Sequence, residues 1–422
     1  MSDAWMMERF SLMKERIREI SGEEVVKEPY GTYFKTTAAF IMQVADLHKK
    51  LQQGWLEGAE LSELEANNQK LYEDILPQNY GHSYGNPTWA AETLGEEFGQ
   101  LLSFLYTEIR GLIVFAYEDR LFDMTVAMEL FVQIYNLFED EEVSAKDVKE
   151  AIYWYVSDYS DEMVGRRVQE GVDPALDFAA NIICSSDLTD IRYLYRFGEY
   201  ITENEIGMAK FLNTLSEEEI QAMARTFTEG YRTGFVLTGK DITKKKTVNI
   251  RFQLGFERMV KAAIEQFKAM DLKPVIYRSA VHSVNKKQHH RIGYYGAIPN
   301  PQFEYDHKDD AALYLDHEFV QRKLRVLQVA YEQVKGLAAV HGGPACMETF
   351  GETPFAPEKR KEACTLTSHQ QKLQVTYDNE AGQIVNRYIK GEERSFTIIA
   401  YPVMEIGEQF EEIFRETVKY PG

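Results

Sequence analysis

The chain has 422 residues, a formal net charge of −20 at pH 7, 44% apolar residues and three cysteines. That length allows two or three domains with sizeable cores, and the acidity excludes functions that need basic surface, such as binding nucleic acid or an anionic membrane. Cys184, Cys346 and Cys364 are far apart and form no C-x-x-C pair, which excludes a zinc ribbon and a disulfide framework.

No apolar h-region follows Met1, and the most apolar stretch, Leu101 to Phe115, is short and interrupted by Glu108 and Arg110. The expectation is a cytoplasmic protein with no membrane partner. The first half reads as helical throughout. Leu94, Phe98, Leu101, Leu105, Ile109 and Leu112 recur at three- and four-residue steps, the period of one buried helical face. Leu130, Ile134, Leu137 and Phe138 continue that pattern, and the loop Pro77 to Thr88 interrupts two such helices. Ser216 and Glu219 have capping-box spacing, in which the hydroxyl and the carboxylate each take one orphan amide at a helix start.

Charge changes abruptly near residue 230. Residues 1–230 hold 43 acidic and 19 basic side chains, a net of −24, and the remainder carries +4. Seven of the nine histidines follow Val281. The hydrophobic period changes in the same region. "TVNIRFQ" (Thr247–Gln253) alternates as a strand, a helical stripe runs from Phe256 to Met270, and "KPVIYRS" reads as a second strand. Strand, helix and strand in that length form a βαβ unit with parallel strands. "SFTIIAYP" (Ser395–Pro402) is a later strand, followed by the amphipathic helix "EQFEEIFRETV". The expected architecture is α plus α/β. An acidic helical domain spans 1–235, a linker 236–246, and an open, mainly parallel, doubly wound α/β domain 247–422.

Three stretches are candidates for chemistry. In Gln288 to Phe319, His289, His290, His307 and His317 lie among Asp306, Asp309, Asp310, Asp316 and Glu318. Catalytic zinc favours two histidines one helical turn apart, and neither the adjacent pair nor the ten-residue gap provides that spacing. Asp309 and Asp310 read instead as first-turn acids of a helix, and His289, His290 and Arg291 as a solvated loop. In "AAVHGGPACMETFGE", His341 is expected at the carboxyl end of a strand, with the glycines in a turn of positive φ and Cys346 buried. "DNEAGQ" at Asp378 lacks the closing glutamate of a calcium loop. Neither a dinucleotide fingerprint nor a P-loop is present.

The stretch from Arg258 to Asp316, with "HGGPACMETFGE" and "ERSFTIIAYPVMEIGEQFEEIF", resembles the N-terminal α/β portion of thermophilic-type metallo-aminopeptidases. These form the aminopeptidase T and aminopeptidase S group, and the likeness is greatest to the leucyl aminopeptidase-like versions. It covers about Thr247 to Val418 and is most specific at Tyr401 to Gly407. The resemblance implies a peptide substrate, release of N-terminal amino acids and a divalent metal pair (zinc, cobalt or manganese) that activates water. The family's metal ligands lie in a domain following this portion. No catalytic, metal or substrate-binding residue is therefore carried over, and the chain by itself is expected to bind no metal and to be inactive. The alternative is a non-catalytic binding or assembly module with an acidic helical surface, for which a homodimer is a candidate state. A third reading is a small-molecule enzyme using His341 and the loop after Val281.

Overall fold

The structure is a computed structural model that describes residues 3–140, 142–286 and 291–419. Helices dominate it, and one small sheet of four parallel strands runs through it. The strands are β1 (Thr247–Arg251), β2 (Lys273–Val275), β3 (His341–Phe350) and β4 (Thr397–Pro402), in the order β2-β1-β3-β4. The chain is thus of mixed α and α/β class.

Helix starts follow the sequence closely. Ser216 accepts the Glu219 amide at 3.2 Å while Glu219 accepts the Ser216 amide at 2.8 Å, so the expected capping box is formed. Ser144 with Asp147, Thr202 with Glu205 and Thr367 with Gln370 form three more. Each satisfies two amides that would otherwise lack partners. The stripe beginning at Leu94 is split, because Gly95 at φ 85° separates helix Pro87–Leu94 from helix Glu96–Arg110.

The apolar stretch Glu96–Tyr117 and the helix Leu121–Phe138 match membrane spans in length and composition. In the fold they are core helices, with Leu102, Leu105, Ile109, Phe131 and Ile134 all buried. Each such side chain contributes about 1.5–3 kcal/mol by leaving water. Two main cores result, and each draws on residues from both sides of 236–246. One joins helices up to Val172 with Val284, Leu313 to Ala338 and Leu366 to Ile389. The other joins Ala179 to Phe235 with β1, its following helix Glu257–Ala269, β3 and β4. The jump in charge therefore does not coincide with a break in packing.

Glycine sets the start of β3. Between Thr247 and Asn249 of β1 the pairing jumps from His341 to Pro344, leaving Gly342 and Gly343 as a bulge. Gly343 has φ 104°, and a Cβ there would lie 2.1 Å from the Ser395 carbonyl oxygen. Gly343→Ala is expected to cost more than about 2 kcal/mol in chemical denaturation, combining left-handed strain with a backbone clash. Gly382→Ala, in helix Ser368–Tyr388 with open space around it, should be neutral or stabilise by up to about 1 kcal/mol. Equal effects at the two sites would contradict this account of β3.

Candidate functional site

Parallel sheets place ligands beyond the carboxyl ends of their strands, at the point where neighbouring connections diverge. Here β1 connects to β2 on one side while β3 connects to β4 on the other, so that point lies between β1 and β3. Beyond β1 the chain continues through Gln253, Gly255 and Glu257, and beyond β3 through Gly351 and Glu352. Thr349 bridges the two loops, its single hydroxyl proton shared between Gln253 Oε1 at 2.9 Å and Glu352 Oε1 at 2.6 Å. Gln253 Nε2 donates to Glu205 Oε1 at 2.9 Å, which ties the edge to helix Glu203–Thr214. The turn after β4 completes the rim, since Glu405 accepts the Thr353 amide at 2.8 Å and donates its own amide to Asn204 at 3.4 Å.

Glu257 is the most perturbed acid of this rim. Its side chain is fully buried; Oε2 accepts from Tyr193 Oη at 2.6 Å and from the Gly255 amide at 2.9 Å, while Oε1 has no partner among the described residues. Burial lifts the carboxyl to about 7, opposed by the Tyr193 and backbone hydrogen bonds and assisted by nearby Glu205. Glu205 itself is saturated by Gln253, Asn204 and Thr202. With Glu205, Glu352 and Glu405 each engaged by protein donors, the donor set does not fit a two-metal centre. Among the described residues, no three His, Cys, Asp or Glu side chains gather as a metal-ion site.

The histidines singled out in the sequence are scattered. His289 and His290 lie outside the described residues. His307 is buried between Asp310 (Nδ1 to Oδ2, 2.8 Å) and the Gly85 carbonyl (Nε2, 2.7 Å), fastening the Pro77–Thr88 loop. Burial works against its protonation, and Asp310 and the Gly85 carbonyl outweigh it, so its pKa is raised. Asp310 opens a short 3-10 turn, Asp310–Leu313. His317 is the first residue of helix His317–Gln333, whose N-cap Asp316 accepts the Phe319 amide. Arg291, half-buried, donates to the Gly296 carbonyl. Asp378 lies within helix Ser368–Tyr388.

The expected place of His341 needs correcting. It is the first residue of β3, not the end of a strand, because the preceding "LAA" finishes a short helix, Lys335–Ala339. Its imidazole meets Thr247 Oγ1 at 3.2 Å. Burial, then the charges of Arg251, Arg394 and Lys245, push it down to about 3 and keep it neutral. Cys346 is half-exposed within β3 rather than buried.

The loop after β2 carries the densest buried charge network. His282 Nε2 meets Asp123 Oδ1 at 2.7 Å, and its Nδ1 lies 3.4 Å from Glu108 Oε1. Asp123 also accepts from Arg120 Nε at 2.7 Å, Arg120 approaches Glu118, and Glu118 accepts from Arg278 Nε at 2.6 Å. Arg278 continues to Glu199 and to the Phe197 carbonyl. Burial disfavours the imidazolium, but Asp123 and Glu108 outweigh it and lift His282 to about 9. The adjoining cleft holds about 20 Å³, room for one water and no substrate. The network therefore joins structure and offers no reaction chamber. Sequence reading missed these partners because Glu108, Asp123 and His282 look like isolated polar interruptions until folding brings them together. No protein-family model, curated protein or solved structure matches the chain.

Proposed function

We propose that this chain is the substrate-cleft scaffold of a metal-dependent aminopeptidase-like protein, a doubly wound α/β unit with a helical accessory layer. The observation that supports it is the position of Tyr401–Gly407, the most specific part of the resemblance. That turn seats Glu405 against Thr353 and Asn204 at the carboxyl rim, beside the Gln253–Thr349 bridge. In this reading the rim shapes the end of a peptide cleft, and no described residue carries the water-activating metals.

The 422-residue chain should accordingly release no leucine from a leucyl-anilide, even with added zinc, cobalt or manganese. A fusion that supplies a family metal-ligand domain after Val418 should hydrolyse it. Metal-dependent turnover by the chain alone would overturn the scaffold reading. A second reading, a non-catalytic binding or assembly module, is supported by Phe396, just before β4, and Ile398, within it, which are 66% and 52% exposed. A fusion that folds, binds its metals and still fails to turn over would favour it.

A further inference from the structure

A cleft of about 310 Å³ lies between helices Ser160–Val172 and His317–Gln333, and none of the rim residues lines it. That volume is at the small end of the range of about 300–1,000 Å³ for small-molecule sites. Asp161 and Gly165, one turn apart, line it from the first helix, and Arg322, Arg325, Val326 and Val329 line it from the second. Steps of three and four residues put that second set along one stripe, off the face that Phe319, Leu324, Leu327 and Tyr331 bury. Val329 is 57% exposed there.

The two ends of the cleft differ. Arg322 fixes the charged end, because its Nε donates to the Ser157 carbonyl at 2.7 Å and to Ser160 Oγ at 3.2 Å, at the start of the first helix. Its Nη2 stands 3.9 Å from Asp161 Oδ2, too far for a hydrogen bond, and that is the one ion contact of Asp161 among the described residues. Arg325 has neither a hydrogen bond nor an ion pair among the described residues. One turn further along each helix come Gly165 and the pair Val326 and Val329, where the lining turns apolar. Its own helix backbone aside, nothing among the described residues lies within 4 Å of where a Gly165 Cβ would sit, so no packing contact requires glycine there. Glycine inside a helix is destabilising relative to alanine, and what its missing side chain leaves here is the open cleft.

We propose that this cleft binds a free α-amino acid with a branched apolar side chain. Such a molecule carries an ammonium, a carboxylate and a side chain on one carbon, and the cleft offers their counterparts in that arrangement. Arg325 takes the carboxylate in its planar fork and Asp161 takes the ammonium, at the end that Arg322 holds. The side chain lies over Gly165 against Val326 and Val329. A carboxylate alone would meet Asp161 as a like charge, and an amine alone would meet Arg325 in the same way. A zwitterion satisfies both. The site uses no residue of the rim, so the inference does not rest on the scaffold reading.

Calorimetric titration of the full chain with L-leucine, L-leucinamide, isocaproate and glycine tests the site. Leucine should bind saturably. Leucinamide lacks the carboxylate, isocaproate the ammonium and glycine the side chain, and each should bind roughly tenfold more weakly or worse. Gly165→Leu fills the cleft from an open helical position and should abolish binding with the circular dichroism spectrum unchanged. Arg325→Gln and Asp161→Asn, both at exposed positions, should each weaken leucine binding roughly tenfold, while Arg225→Gln on helix Glu217–Leu237 leaves it unchanged. Should Gly165→Leu fail to fold, Arg325→Gln decides. No saturable leucine binding, or binding that survives Gly165→Leu or is indifferent to Arg325, would overturn the proposal. So would isocaproate or leucinamide binding as tightly as leucine, since either result would leave one of the two charges unused.

Discussion

His282→Ala should destabilise the fold by about 3–5 kcal/mol, the range for removing one partner of a buried ion pair. The substitution leaves Asp123 and Glu108 facing each other in the interior without their shared imidazolium. Arg120 still holds Asp123, and Tyr155 still donates to Glu108 at 3.3 Å, so both carboxylates keep one partner each. The Phe115 ring, 4.7 Å from His282 by centroid, loses its packing partner as well. The sign with pH is fixed by the direction of the shift. His282 is raised from 6.5 to about 9 in the fold, so its stabilisation is complete below about pH 6.5 and disappears as pH rises through 9. Asp123 is lowered, because His282 and Arg120 outweigh its burial, so its share is lost only in strong acid. Urea titrations at pH 6 and pH 10 should show the wild type losing stability between them and His282→Ala losing much less. Parallel curves for the two proteins would contradict a buried imidazolium.

This network also marks what the sequence can and cannot reveal. The helices and their starts were legible, because a period of 3.6 and a Ser-x-x-Glu spacing are local signals. β1 and β4 were legible as runs of β-branched and apolar residues. β3 was not, since "HGGPACMETF" opens with a bulge and alternates small with polar residues, so no apolar run announces it. The extent of β2 was overestimated, because Lys273–Val275 alone pairs with β1 and the chain beyond it makes just an isolated bridge from Arg278 to Tyr294. Charge balance marked a change of composition near residue 230, but the cores cross it, because apolar faces on both sides need each other for burial. The His282 cluster and the Glu257 rim join residues 64 to 174 positions apart, which no spacing rule addresses.

Glu257→Gln should be more favourable relative to wild type at pH 8 than at pH 4.5, by about 3 kcal/mol. The carboxyl is raised from 4.5 to about 7 in the fold, so its neutral form is the one the interior accepts. Below about pH 4.5 it is neutral in both folded and unfolded chains and costs nothing in linkage. As pH rises to 7, the unfolded chain ionises and the folded one resists, so wild-type stability falls by about 3 kcal/mol. Glutamine cannot ionise and escapes that loss. Its carbonyl can accept from Tyr193 and the Gly255 amide in place of Oε2, and its amide nitrogen takes the place of Oε1, which has no partner among the described residues in either case. Burying that amide costs about 1–3 kcal/mol at every pH, so the informative quantity is the change with pH and not the offset. The stability difference, Gln minus Glu, should therefore move by about 3 kcal/mol in favour of Gln between pH 4.5 and pH 8. A pH-independent difference would mean that Glu257 is ionised in the fold, with an unrecognised cation or solvent reaching Oε1. The rim would then be open to ligand at that carboxylate, and Glu257 would become a candidate for contact with the substrate instead of a neutral support beneath it.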